Sequence, residues 1–228
     1  MTYYNIHTHH LPSSEEVIAI YNLIVYPDGL RFPEGREKAV FSKEDSLHKK
    51  LYYSLGIHPW YIDPEHLEFQ LSYFYESVSH PDVVAVGEAG LDRLAVLPLE
   101  IQEKVFISQA TIAEEKNKPL VIHCVKAWAE ILALHKRISP RMPWIIHGFR
   151  GNRMLAVQLL NRGFYFSISD RFNEEILHLD LCSRLFLETD NRKIEIQEVY
   201  KKMASSLHVD LETLGQHIRE NVRNVFSI

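Results

Sequence analysis

Residues 83–124 read "VVAVGEAGLDRLAVLPLEIQEKVFISQATIAEEKNKPLVIHC", and the fold turns on this run. Its two ends, VVAVGE and LVIHC, are short and apolar on both faces, as strands buried between two layers tend to be. Residues 98–117 between them follow a helical period. Ile101, Val105, Ile112 and Ala113 share a face, while Glu103, Lys104, Glu114 and Glu115 stay outside. Pro98 suits the first turn of that helix, and Asn117-Lys118-Pro119 ends it. Strand, helix, strand is the repeating unit of a parallel sheet.

The same alternation extends outward in both directions. YYNIH, NLIVY and LYYSLGI precede this unit as strand candidates, and WIIHG, FYFSIS and RLFLET follow it, with helical patterns at 126–137, 151–161 and 195–206. A set of 7–8 parallel strands in one α/β domain favours a closed (β/α) TIM-like barrel over an open sheet. The first third alternates poorly, so the first βα units are expected to be degenerate. Residues 26–46, rich in Pro, Gly and charge, read as an excursion within the domain.

The chain has 228 residues, 46% hydrophobic and 24% charged, so residues 1–228 are expected to form a single domain. A net charge of −5 excludes a global field that draws in nucleic acid or anionic membrane, and leaves room for a local basic patch. Two distant cysteines, Cys124 and Cys182, in apolar segments argue against a disulfide framework and for a reducing compartment. No apolar run is long enough to span a bilayer and no signal-peptide pattern opens the chain. The expectation is a cytoplasmic protein with no membrane contact and no obligate protein partner.

The informative polar residues each follow an apolar strand run. YYNI leads into His7 and His9, YYSLGI into His58, VVAVG into Glu88, LVI into His123, WII into His147 and RLFLET into Asp190. In a parallel barrel the C-terminal strand ends form one rim, so these scattered residues are expected to converge. "NIHTHH" at 5–10 reads as a tag, a solvated terminus or a metal site. Its i, i+2 histidines His7 and His9 would share one strand face about 7 Å apart, close enough to grip one cation. The further strand-end ligands favour the metal reading. His10 points to the other face. Cys124 likewise faces away from His123, as a buried thiol. His48, His66, His80, His135, His178, His208 and His217 lack partners at ligand spacing and read as surface or satisfied histidines.

From end to end the chain resembles the TatD-type metal-dependent hydrolases, a branch of the amidohydrolase-like barrels. The matching segments are NIHTHHL, GIHPW (56–60), GEAGLD (87–92), LVIHC (120–124), HGFRG (147–151), ETD (188–190) and NVRNVF (221–226). The resemblance implies two divalent cations, Zn, Mg or Mn. His7, His9 and Asp190 would hold the first, His123 and His147 the second, and Glu88 would bridge them. It further implies a metal-activated water with Asp190 as base, substrate contact by His58, and deoxyribonuclease activity.

Three departures from the family pattern matter. Asn5 replaces the usual acid two positions before His7, where loss of the acid is expected to weaken ligand orientation without removing a ligand. Val125 and Lys126 follow "IHC" where an arginine is usual, and the loop after ETD is short, which trims the substrate side. Remaining cations near the rim are Lys126, Arg150, Arg192 and Arg93. The expected substrates are therefore single-stranded DNA, short oligonucleotides or small phosphodiesters, bound weakly and salt-sensitively. The alternatives are an amidohydrolase acting on a small cyclic amide, ester or lactone, a histidinol-phosphatase-like phosphoesterase (disfavoured because "ETDN" lacks its closing histidine), and a catalytically impaired barrel kept as a binding protein.

Overall fold

The computed structural model describes residues 1–30 and 51–228. His48 and most of the 26–46 excursion lie outside the described residues. The strands are β1 (Tyr3–Thr8), β2 (Val17–Tyr26), β3 (Gly29–Leu30), β4 (Leu51–Gly56), β5 (Val83–Asp92), β6 (Leu120–Val125), β7 (Trp144–Ile146), β8 (Tyr165–Ile168) and β9 (Leu185–Leu187). The helices are α1 (Leu67–Ser77), α2 (Leu99–Glu115), α3 (Trp128–Ile138), α4 (Arg153–Leu160), α5 (Ile196–Leu207) and α6 (Leu211–Phe226). Eight strands run in the order β1-β2-β4-β5-β6-β7-β8-β9 with every pairing parallel, and β3 adds a short antiparallel arm to β2. The ends of this sheet meet at one bridge, Thr8 with Asp190. There the Asp190 N–H donates to the His7 carbonyl at 3.0 Å and the His9 N–H to the Asp190 carbonyl at 3.2 Å. The result is a nearly closed α/β barrel of the TIM type.

The early part is degenerate, as expected: β1 passes to β2 through residues 9–16 without a helix, and among the described residues the first helix, α1, follows β4. The last unit is degenerate too, because two 3₁₀ turns at Glu174–His178 and Cys182–Arg184 stand between β8 and β9. Among the described residues no helix is long and apolar enough to cross a membrane.

Helix α2 buries a wider face than expected. Val105 and Ala113 are buried, with Ile101 and Ile112 half-buried against the core, but Gln102, Phe106, Gln109 and Ala110 are buried too. The two buried amides have a polar cause. Gln109 Oε1 accepts the Ile57 N–H at 2.7 Å while Nε2 donates to the Ile57 carbonyl at 3.0 Å. Gln102 does the same for Asp92, at 2.7 and 3.0 Å. Each amide supplies the donor and acceptor that a neighbouring strand would otherwise supply, so strand ends beyond the ladder stay satisfied while buried. On α1, Gln70 accepts from the Asp63 N–H and donates to the Val25 and Tyr61 carbonyls.

The segment GEAG in β5 sets how closely β5 and β6 approach. Gly87 has φ +133°, and a Cβ there would lie 2.4 Å from the Val121 carbonyl oxygen. A Cβ on Gly90 would meet the His123 carbonyl oxygen at 1.8 Å. Both obstacles are backbone, which cannot swing aside as a side-chain tip can. Gly90→Ala is therefore expected to exceed the ~1–3 kcal/mol usual for overpacking. Gly215→Ala in α6 meets only the flexible Met1 side chain and gains up to ~1 kcal/mol of helix propensity, so it is expected to be near neutral. Urea midpoints of the two variants check this, and a Gly90→Ala midpoint close to wild type would contradict the close strand approach.

Candidate metal centre

The strand ends bring His7, His9, His58, Glu88, His123, His147 and Asp190 to one end of the barrel, around the Glu88 carboxylate. Its two oxygens face different partners. Glu88 Oε2 lies 3.5 Å from His7 Nε2 and 3.8 Å from His9 Nε2. Glu88 Oε1 lies 2.7 Å from His123 Nδ1, 2.7 Å from His147 Nε2 and 3.2 Å from His58 Nε2. Asp190 Oδ1 completes the first side, 3.8 Å from His7 Nε2 and 3.6 Å from His9 Nε2. Asp190 has φ 53°, a left-handed conformation that Asp and Asn tolerate better than most residues.

Three overlapping groups place one donor atom from each member within 4.8 Å of the others: His7, His9 and Glu88; His7, His147 and Asp190; His58, Glu88 and His123. The donor chemistry fits divalent cations, which take neutral imidazole nitrogen and ionised carboxylate together. One observation tests that fit directly. His7 is fully buried, and among the described residues neither of its ring nitrogens has a hydrogen-bond partner. A buried polar atom without a partner costs about 1–3 kcal/mol, and a cation at Nε2 would remove that cost.

Charge around Glu88 is unevenly shared. Burial pushes its carboxyl upward, yet His147, His123 and His58 hold it well below the ordinary glutamate range. Burial disfavours a charged His147, but Glu88 and Glu188 outweigh it and raise the imidazole well above its ordinary value. Burial and neighbouring His7 push His9 down to about 4, so it offers a neutral ring at physiological pH. Desolvation also lowers His58.

His58 is placed differently from its expected role at a substrate. It is buried, turned into the cluster, with Nδ1 accepting the Trp60 backbone N–H at 3.1 Å. Lys126, one residue past β6, and Arg150, ahead of α4, are exposed, and among the described residues neither forms an ion pair or a hydrogen bond. Arg93 instead pairs with Glu130, and Arg192 pairs with Asp170 at 3.0 Å. Two of the four cations expected near the rim are therefore already neutralised.

Asn5 does more than fill the place of an acid. Its Nδ2 donates to Thr189 Oγ1 at 2.8 Å and its Oδ1 accepts the Thr189 N–H at 3.1 Å. An aspartate can only accept, so Asn5 frees the Thr189 hydroxyl to donate to Thr8 Oγ1 at 3.1 Å. This pins the residue before Asp190.

Several contributors escape a sequence reading. Asn22, in β2, accepts the Glu88 N–H at 2.9 Å and the Ser54 hydroxyl at 3.1 Å through Oδ1. Its signal is a lone amide inside the apolar run NLIVY. Asp92 is buried and takes His123 Nε2 at 3.0 Å, fixing that ring from behind. Glu188 accepts the Gly148 N–H at 2.7 Å and stands 3.5 Å from His147 Nδ1. Carboxylates behind ligand histidines orient the ring and raise its basicity. Both sit inside motifs already noticed, GLD and ETD.

The remaining described histidines and the thiols are ordinary. His66 pairs with Asp63 at 3.0 Å, and His135 packs on Phe164 and Trp144. Both cysteines are free. Burial pushes the Cys124 thiol up to about 12, while Cys182 is exposed in a 3₁₀ turn.

Comparison with known proteins bears on the family and the fold. The family model described as TatD related DNase matches residues 33–227. An uncharacterized metal-dependent hydrolase from Bacillus subtilis, YabD, is 26% identical over 201 residues, 78% of each chain. The 3'-5' ssDNA/RNA exonuclease TatD of Citrobacter koseri is 32% identical over 166 residues, 66% of this chain and 61% of that protein. The match thus spans less than two thirds of that exonuclease. Among solved structures, the TatD homologue YjjV from Escherichia coli superposes with a TM-score of 0.77 at 19% identity, covering 99% of this chain and 98% of that one. At that identity the likeness speaks for the fold.

Proposed function

The chain belongs to the TatD related DNase family of metal-dependent hydrolases, and from that premise we propose that it cleaves phosphodiester bonds in short single-stranded nucleic acid at a two-cation centre. The observation that carries this reading is the division of the Glu88 carboxylate, with Oε2 toward His7 and His9 and Oε1 toward His123 and His147. One carboxylate facing two donor sets is what a bridging ligand requires. His7, His9 and Asp190 would hold one cation, His123 and His147 the other. Bound there, two divalent cations supply a lowered water pKa and charge neutralisation at the phosphate oxygens.

The chain's own residues do the rest. Asp190, the most exposed carboxylate of the cluster at 31%, is the group best placed to take a proton from a water entering from solvent. Asp92 and Glu188 hold the His123 and His147 rings in orientation from behind. Of the four cations expected near the rim, Lys126 and Arg150 are the two that remain unpaired among the described residues and available to a phosphate backbone.

The experiment is hydrolysis of a small diester, a short single-stranded oligonucleotide and long duplex DNA, each with Mg²⁺, Mn²⁺ and Zn²⁺, across a salt series. Single-strand affinity falls with a log–log slope near −0.7 per phosphate contact, so two unpaired cations predict a slope of about −1.4. Short substrates should be cleaved and duplex poorly. Turnover of a cyclic amide or lactone with no diester cleaved would transfer the site to amidohydrolase chemistry. Efficient, salt-resistant duplex cleavage would show that the trimmed loop after ETD was never needed.

A further inference from the structure

Trp60 is an anomaly beside the metal centre. It follows GIHP directly, and its side chain is 60% exposed although an indole is among the most valuable groups to bury. It is also held in place. The indole Nε1–H donates to Asp92 Oδ2 at 2.6 Å, the same oxygen that takes His123 Nε2 at 3.0 Å. Its backbone N–H is bound to His58 Nδ1 at 3.1 Å. The ring centroid lies 5.1 Å from that of His58 and 6.0 Å from that of His123. With the only polar atom of the indole satisfied on a buried carboxylate, what remains for solvent is a fixed apolar π-face next to the ligand cluster.

A second exposed apolar element is tied to the same carboxylate. Leu94 and Val96 are 67% and 101% exposed, on a turn hung from the same carboxylate by the Leu94 N–H to Asp92 Oδ1 bond at 2.7 Å. Arg93, between Asp92 and Leu94, turns away to Glu130. A subsite of this kind suits a flat, uncharged ring rather than a phosphate.

We propose that Trp60 is a stacking platform for a planar ring of the substrate, a nucleobase attached to the diester being cleaved. The proposal rests on the phosphodiesterase reading above and adds to it the part of the substrate recognised away from the reacting phosphate. Base–aromatic stacking is worth about 1–3 kcal/mol per base and tolerates any sequence, because every base has a π-face. Base preference at this subsite should accordingly be weak.

The test compares a single-stranded oligonucleotide with the same chain carrying abasic residues, in wild type, Trp60→Phe and Trp60→Leu. Loss of the indole N–H disturbs Asp92 and His123 in both variants, so the informative quantity is the ratio of kcat/KM for base-bearing over abasic substrate. Trp60→Leu should lower that ratio by ~5–150-fold, the equivalent of one stacking contact. Trp60→Phe, which keeps a ring, should hold it within a few-fold. A ratio unchanged in Trp60→Leu overturns the stacking role and leaves the phosphodiesterase reading standing. Fluorescence supplies a readout without turnover. Of the three tryptophans Trp144 is buried and Trp128 half-buried, so quenching of the metal-free protein by a mononucleotide should arise mainly at Trp60, the most exposed, and fall sharply in Trp60→Phe, leaving only the share of Trp128. If no diester is cleaved but this quenching is present, the subsite stands without the nuclease activity. Quenching that is absent in wild type, or that persists undiminished in Trp60→Phe, overturns it.

Discussion

Asp190→Asn is expected to lower kcat by at least ~10²–10⁴-fold, the usual cost of removing a general base, with further loss if a bound cation shifts. The fold should survive. Asparagine is among the residues best suited to the left-handed backbone that Asp190 adopts at φ 53°. The bonds that close the barrel there are made by the Asp190 backbone, N–H to His7 and carbonyl from His9, and the substitution leaves both in place. The side chain is 31% exposed, so exchanging carboxylate for amide leaves no buried charge unpaired. A thermal melt within a few degrees of wild type beside a collapsed kcat is the expected pair of results. Activity within a few-fold of wild type would place the base elsewhere.

The residues that a sequence reading reaches share a physical trait. A strand buried on both faces must be an apolar run, so VVAVGE, LVIHC and WIIHG stand out. A polar residue at the end of such a run then has few reasons to be there except the rim of the barrel. His7, Glu88, His123 and His147 are legible for that reason. Helix α1 is not, because LEFQLSYFYES carries Phe69, Tyr73, Phe74 and Tyr75, residues that favour strands until Phe74 is seen packed in the core. The full buried face of α2 is missed for the opposite cause: Gln102 and Gln109 look like solvent residues, and only the free backbone groups of Asp92 and Ile57 give a buried amide a reason to point inward.

The supporting shell is harder still to read, since its logic lies in pairs. Asp92 means little until His123 and Trp60 are placed on the same oxygen, and those three come from separate elements. Asn5 shows how a departure from a family pattern can carry its own chemistry. The expected weakening of ligand orientation assumes that the acid is simply lost. The amide instead bonds Thr189 twice, something an aspartate could not do with the Thr189 hydroxyl turned toward Thr8.

Glu88→Gln should have the second large effect, on metal binding itself. The carboxylate presents an oxygen to each donor set, so neutralising it weakens both, by more than the ~10–100-fold that follows loss of an outer partner. Metal content measured on the purified variant should fall well below that of wild type, and hydrolysis should fall with it. The wild-type protein adds a pH signature that the variant should lose in part. His147 is raised well above its ordinary value in the metal-free chain, mainly by Glu88, with Glu188 assisting. A cation at His147 Nε2 must therefore expel a proton, and its affinity climbs with pH, by up to ~10-fold per unit for each proton released, until His147 is neutral without it. In Glu88→Gln one of the two anions holding that proton is gone, so His147 titrates lower and the climb ends at lower pH, on top of a weaker limiting affinity. Metal titrations of both proteins between about pH 6 and 8 separate the two contributions. Wild-type affinity in Glu88→Gln at every pH would mean that the cations are held without this carboxylate, and the bridging role assigned to it would be wrong.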